Sequence, residues 1–252
     1  MIETWKIRWY DTIGSTNDEL KILAAKGAPQ GTAVAAHTQT GGKGRLGRQF
    51  QSPPGTGMYL SVLLRPQAPF EDCAHLTCAV AVAVAKAIES VSGVAPGIKW
   101  PNDLTWNRLK LGGILTEISA KDGVVEWAVV GIGINCRAPE EGFAPEIATI
   151  ATDLQIACGK KILPEELAQV TVQELKNLAE TFLSRKTQWL EQYRKICVTT
   201  GQRVTVITPT QTRQALALDV AEDGSLLVEY ENGIRENVSS GEVSVRGMFG
   251  QT

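Results

Sequence analysis

A change of texture at Thr199 constrains this chain's fold more than any other feature. Ahead of it, residues 150–198 carry apolar positions at helical spacing. Leu167, Val170, Leu175, Leu178 and Phe182 recur every three to five residues, and Pro164 suits a helix's first position. Residues 184–196 read as a second helix. Behind it, residues 201–246 break into short strand-like runs around Asp223-Gly224 and Asn232-Gly233, two hairpin-turn signals close together. A chain that changes period in this way folds as a larger α+β unit, residues 1–199, followed by a small β-barrel, residues 200–252. Its 252 residues suffice for one full core and a small second one.

Within the larger unit, residues 5–10 alternate as a strand does. A helix follows: Thr16-x-x-Glu19 has the form of a capping box, Leu20, Leu23 and Ala24 mark an apolar face, and Gly27 sits where the chain leaves the helix. Residues 32–37 and 58–64 read as apolar strands, residues 97–106 and 108–119 as two strands joined at Trp106-Asn107, and residues 124–134 as another. The Ala- and Val-rich stretch 73–88 contains Lys86 and is shorter than a bilayer span, so it reads as a core helix that ends near Gly93.

The bulk numbers exclude several classes. Apolar residues make 43% of the chain and charged ones 21%, as in ordinary globular proteins. A net charge of −2 argues against general affinity for nucleic acid or acidic membranes. Five cysteines without a C-x-x-C pair read as reduced cytoplasmic thiols, and two histidines leave little material for a His-based triad or metal site. The N-terminal residues are charged and alternating, unlike a signal peptide.

Five motifs stand out against this background. QTGGKGRLGR, residues 39–48, holds four glycines and three cations between two apolar strands, where a hairpin needs only a few residues. It is neither a Walker loop nor a dinucleotide fingerprint, and its length and charge suit a lid over an anion. KWPND, residues 99–103, gathers a cation, an aromatic plane, an amide and a carboxylate at a strand break. In KLGGIL, residues 110–115, two glycines weaken a strand unless something approaches its backbone. GIGIN, residues 131–135, ends an apolar strand in small residues, and STND, residues 15–18, caps a helix whose free N–H groups suit a polar ligand.

Together and in this order, STN, QTGGKGRLGR, KWPND, KLGGIL and GIGIN resemble the biotin protein ligases, and the segment SGEVSVRG resembles the end of that family's small barrel. The resemblance implies an α+β catalytic domain with a mixed sheet of the biotin/lipoate ligase type and a C-terminal SH3-like barrel. It implies biotinyl-5′-AMP made from biotin and ATP with Mg²⁺, then transfer to one lysine of the biotin carboxyl carrier protein of acetyl-CoA carboxylase. By motif match, biotin falls to Ser15, Thr16, Asn17, Gln39, Lys43, Gly44, Arg45, Lys110, Gly112, Gly113, Gly131 and Gly133. ATP falls to Arg45, Arg48, Phe50, Lys99, Asn102, Asp103, Lys110, Asn135 and Arg246, with Asp103 also serving the metal. Lys110, Arg45, Arg48 and Lys99 carry the chemistry. Phe50 stands where the family often has Trp, and Lys43 where many members have Arg, which keeps charge but loses bidentate geometry.

Regulatory members of the family carry an N-terminal DNA-binding domain. Here the motifs begin at Ser15, so the expectation is a monofunctional cytoplasmic ligase, monomer or homodimer, acting on neither DNA nor membrane. Two other readings compete: a lipoate or octanoate transfer enzyme of the same wider fold, and an RNA-binding module built on the basic loop. The first lacks this combination of loop and KWPND, and the second is opposed by the net acidity.

Overall fold

The computed structural model describes residues 4–208 and 210–239 and, for the backbone alone, 244–246. In chain order the larger unit contains β1 (Ile7–Ile13), α1 (Thr16–Ala25), β2 (Ala33–Gln39), β3 (Gly57–Leu64), α2 (Leu76–Ser92), β4 (Gly97–Lys99), β5 (Asp103–Trp106), β6 (Leu109–Lys121), β7 (Val124–Asn135), α3 (Leu154–Cys158), α4 (Pro164–Thr181) and α5 (Lys186–Ile196). Its strands form one sheet in the order β1-β2-β3-β7-β6-β5-β4. The β1–β2 pair is parallel and the other pairs are antiparallel, so the sheet is mixed.

Both faces of the sheet are covered at its centre, which is why β3 is buried at every position rather than alternately. Met58, Leu60, Val62 and Leu64 join the main core with α2 and α4. Leu63 joins a second cluster with Leu20 and Ala24 of α1. Helix α2 is buried nearly all round because its Ala and Val side chains let neighbours approach on every side. The helical stretch Glu71–Ser92, 22 residues long, is apolar and long enough to cross a membrane, more than its Ala/Val segment alone had implied. Yet 67% of its most apolar window is buried inside the protein. Gly93, at φ +76°, ends it as expected.

After α5 come β8 (Arg203–Ile207), β9 (Thr212–Val220), β10 (Leu226–Tyr230), β11 (Arg235–Val238) and β12 (Ser244–Arg246). The barrel expected there takes the form of a five-stranded antiparallel sheet in the order β11-β10-β9-β8-β12. Val204, Val206, Ala215, Ala217, Leu226 and Val228 face its buried side.

Two local expectations need correction. The cap of α1 lies one residue earlier than the capping box implied. Ser15 has the extended cap conformation and accepts from the Asp18 N–H at 3.4 Å, while Glu19 accepts from the Tyr10 hydroxyl at 3.2 Å. Residues 97–106 are two strands, since Pro101 has no N–H to carry the ladder and the chain turns there before β4 and β5 pair.

Candidate active site

On the α1 side of the sheet, strand register lines up small residues. Gly113 of β6 pairs with Gly133 of β7, which pairs with Tyr59 of β3; Leu115 pairs with Gly131, which pairs with Ser61. The glycines leave a trough where side chains would otherwise stand. A Cβ at Gly131 would collide with the Asn17 carboxamide, and one at Gly133 would meet the Phe50 ring at 2.6 Å. The trough opens into a cavity of about 360 Å³, within the range of small-ligand sites.

One end of the cavity is a polar network on the first turn of α1. Gln39 Oε1 accepts from the Thr16 N–H at 2.9 Å and the Thr16 hydroxyl at 3.0 Å, and Gln39 Nε2 donates to Ser52 Oγ at 3.0 Å. Asn17 Oδ1 accepts from the Ser61 hydroxyl at 2.6 Å, and Asn17 Nδ2 donates to Glu117 at 2.8 Å. Glu117 is held in turn by Lys21 at 2.7 Å. Ser15, Thr16, Asn17 and Ser61 are all buried. Such a network is fixed before any ligand arrives.

The other end is cationic. Arg45, Arg48, Lys99, Lys110 and Arg137 line the cavity, against one carboxylate among the described residues, Asp103. Lys110 Nζ lies 2.8 Å from Asp103 Oδ1. A β-bulge aims it there: Leu104 pairs with Gly112 and Thr105 with Lys110, so Leu111 is the extra residue. The bulge puts Lys110 on the same face as Gly113, whose Cβ would lie 3.5 Å from Nζ. The Lys110 backbone is clamped as well, donating to Ile150 O at 2.7 Å and accepting from the Thr152 N–H at 2.9 Å. Asn135 lines the wall and donates to Thr152 O at 3.0 Å.

The glycine–cation loop roofs both ends. It is a folded hairpin, with Gly44 N–H on Arg48 O at 2.7 Å and Phe50 N–H on Gly42 O at 2.9 Å. Gly42 is required because a Cβ would strike the Phe50 carbonyl, and Gly47 turns the tip at φ +73°. Arg45 reaches across to Asn102 Oδ1 at 3.1 Å, and Asn102 Nδ2 donates to Ile114 O at 2.7 Å. Burial lowers the Arg45 pKa from its ordinary value, Asp103 opposing and Arg48 adding to the effect. The Lys43 ammonium sits on Asp18 at 2.7 Å rather than over the trough. Burial works against the Asp18 carboxylate, but hydrogen bonds from Lys43 and Lys21 outweigh it and leave the pKa lowered.

The cavity therefore gathers Ser15, Thr16, Asn17, Gln39, Lys43, Gly44, Arg45, Arg48, Phe50, Lys99, Asn102, Asp103, Lys110, Gly113, Gly131, Gly133 and Asn135. Gly112 is the exception: it packs against β7, where a Cβ would meet Ile134 Cδ1 at 2.6 Å, so its smallness serves strand pairing. Arg246 ends β12, and its side chain lies outside the described residues. Ser61, Glu117 and Arg137 escaped the sequence reading. A lone serine inside the apolar run MYLSVLL was the available signal for the first.

Comparison with known proteins shows the family. The profile of the Biotin/lipoate A/B protein ligase family matches residues 9–135. That of the Biotin protein ligase C terminal domain matches residues 199–246. The pairing defines the class, a protein ligase of the biotin/lipoate type. The chain is 35% identical over 237 residues to the bifunctional ligase/repressor BirA of Bacillus spizizenii, covering 92% of this chain and 72% of that one. It is 31% identical to the biotin--[acetyl-CoA-carboxylase] ligase of Mycobacterium tuberculosis, covering 91% of this chain and 85% of that one. The Aquifex aeolicus biotin protein ligase, solved in complex with biotin and ATP, superposes with a TM-score of 0.81 at 28% identity, covering 96% and 98% of the two chains. The chain belongs to the biotin protein ligases.

Proposed function

We propose that this ligase couples biotin to a lysine of a biotin carboxyl carrier protein through biotinyl-5′-AMP. The observation that carries the reading is the cavity itself: one trough holds a fixed amide–hydroxyl network at one end and Arg45, Arg48, Lys99, Lys110 and Arg137 beyond it. The network suits a ureido ring, whose C=O and N–H groups need both donors and acceptors, and the trough suits the rest of a small acid. Ser15, Thr16, Asn17 and Gln39 take the ring; Gly113, Gly131 and Gly133 leave it room. Phe50 offers a ring face to adenine, and Asn135 a carboxamide to the nucleotide.

In the first step a biotin carboxylate oxygen attacks the α-phosphorus of ATP. The bond to the bridging oxygen breaks, and pyrophosphate leaves with the electron pair. The reacting groups are all anionic, so positioning and charge stabilisation by Lys110, Arg45, Arg48 and Lys99 are the protein's contribution. Among the described residues no group of three or more His, Cys, Asp or Glu could hold a metal. Asp103 is the carboxylate that would face a Mg²⁺ arriving with ATP, and such an ion would screen phosphate charge. In the second step a neutral lysine amine attacks the acyl carbon and AMP leaves. The amine proton goes to Asp103 or to its ion-pair partner Lys110, 2.8 Å away.

The folded loop excludes water and stray amines from the mixed anhydride. A division of the chain at residues 199 and 200 belongs to the same reading, supported by the C-terminal family match that starts at residue 199. Incubation with ATP, an apo carrier domain and either labelled biotin or labelled lipoate tests the proposal. Label on the carrier from biotin supports it, and label from lipoate alone refutes it.

A further inference from the structure

The Asp223-Gly224 turn, a hairpin signal in the sequence, lies between β9 and β10 and reaches back to the larger unit. Trp100 Nε1 donates to Gly224 O at 2.9 Å, with the indole 2% exposed. Cys78 Sγ approaches the same carbonyl at 3.9 Å. The turn is specified locally, because the Asp223 carboxylate accepts from the Ser225 N–H at 2.9 Å and hydroxyl at 2.6 Å. Gly224 has φ +83°, and a Cβ there would lie 3.1 Å from Cys78 Sγ and 3.2 Å from His75 Cα, so only glycine brings the carbonyl this close without a shift.

Two further bonds hold the same stretch from the same side. The Trp100 N–H donates to Thr199 Oγ1 at 2.9 Å, and the Tyr193 hydroxyl donates to Pro101 O at 3.1 Å. The next two residues are Asn102, which holds Arg45, and Asp103, which holds Lys110. The turn whose side chains hold both cations is thus clamped from behind by the C-terminal sheet and the chain entering it. At the other end of the cavity, the hydrogen bonds of Thr16, Asn17, Gln39 and Ser61 run to one another and to Ser52, Leu115 and Glu117.

We propose that Trp100 and Gly224 form a positioning pair: through one indole hydrogen bond the C-terminal sheet sets the KWPND turn, and with it the nucleotide side of the active site. Neither residue is catalytic. The assignment of that side to ATP rests on the function proposed above. The C-terminal sheet then controls adenylation and leaves the affinity for biotin alone.

The test uses the full chain with Trp100→Phe, which removes the N–H and keeps an aromatic ring, and Gly224→Ala, which keeps the donor and shifts the acceptor. Three quantities are read: the Kd for biotin without ATP, kcat/KM for ATP in biotin-dependent pyrophosphate release, and hydrogen exchange of the Trp100 and Ile114 amides. The last two amides donate to Thr199 Oγ1 and Asn102 O. For the pair, kcat/KM for ATP falls about tenfold, or about 1.4 kcal/mol, biotin Kd stays within about twofold, and the two amides exchange faster than the rest of the sheet. A merely structural role would instead weaken biotin binding and quicken exchange everywhere in proportion. That outcome overturns the proposal, as does kcat/KM for ATP unchanged in both folded variants. If the wild type releases no pyrophosphate, the functional reading fails, while the exchange at Trp100 and Ile114 still decides whether the turn is clamped.

Discussion

Gly131→Ala adds one methyl group where the Asn17 carboxamide now lies: the new Cβ would overlap Oδ1 and stand 2.8 Å from Cγ. Asn17 cannot slide aside at no cost. It accepts from Ser61 at 2.6 Å and donates to the charged Glu117 at 2.8 Å, and its side chain is 4% exposed. A neutral hydrogen bond contributes about 1 kcal/mol and one to a charged group about 1.5–3 kcal/mol, so eviction costs about 2–4 kcal/mol. The backbone gain from replacing glycine with alanine in a strand is only about 0.5–1 kcal/mol and does not offset it. That cost falls on the stability of the free protein; the displaced carboxamide also loses its own hydrogen bond to the ureido ring, about 1–1.5 kcal/mol, or about five- to tenfold in affinity. Calorimetric titration with biotin should show it, and titration with a non-hydrolysable ATP analogue should change little, because Gly131 lies at the network end of the trough. A folded Gly131→Ala protein that binds biotin within about threefold of wild type would refute the assignment of Asn17 and the glycine floor to biotin.

Arg45→Gly removes the roof's bond to Asn102, and we expect more biotin on bystander lysines by mass spectrometry; an unchanged product distribution counts against the loop as a lid. His75 is buried and stacked on Phe182 at 4.4 Å, and burial, with the Lys186 charge nearby, pushes its pKa down from 6.5 to about 4. The unfolded chain binds the proton first, so this stability is complete above about pH 6.5 and is lost as pH falls toward 4, by about 3 kcal/mol. Urea unfolding at stepped pH should show that loss in wild type and a smaller one in His75→Phe.

Much of this fold could be read from local chemistry. Gly93 ends α2, Pro164 opens α4, and Asp223-Gly224 turns β9 into β10, each because a single residue's backbone preference decides the outcome. The cavity residues were found because glycines and cations cluster in short motifs. What escaped depends on partners far along the chain. The pairing of β3 with β7 makes Ser61 and Gly131 neighbours, and no local pattern encodes that register. The bulge at Leu111, which turns Lys110 toward Asp103, is likewise a property of two strands together. Gly112 and Gly113 look alike in KLGGIL, yet only the register tells which one faces the cavity and which one lies against β7.

The central claim is that Lys110 joins the two halves of one site, holding the reacting carboxylate and phosphate together. Biotin-dependent exchange of labelled pyrophosphate into ATP, without any carrier protein, measures that step alone. Exchange in wild type should require biotin and disappear in a folded Lys110→Ala protein that still binds biotin. Near-normal exchange in that variant would contradict it.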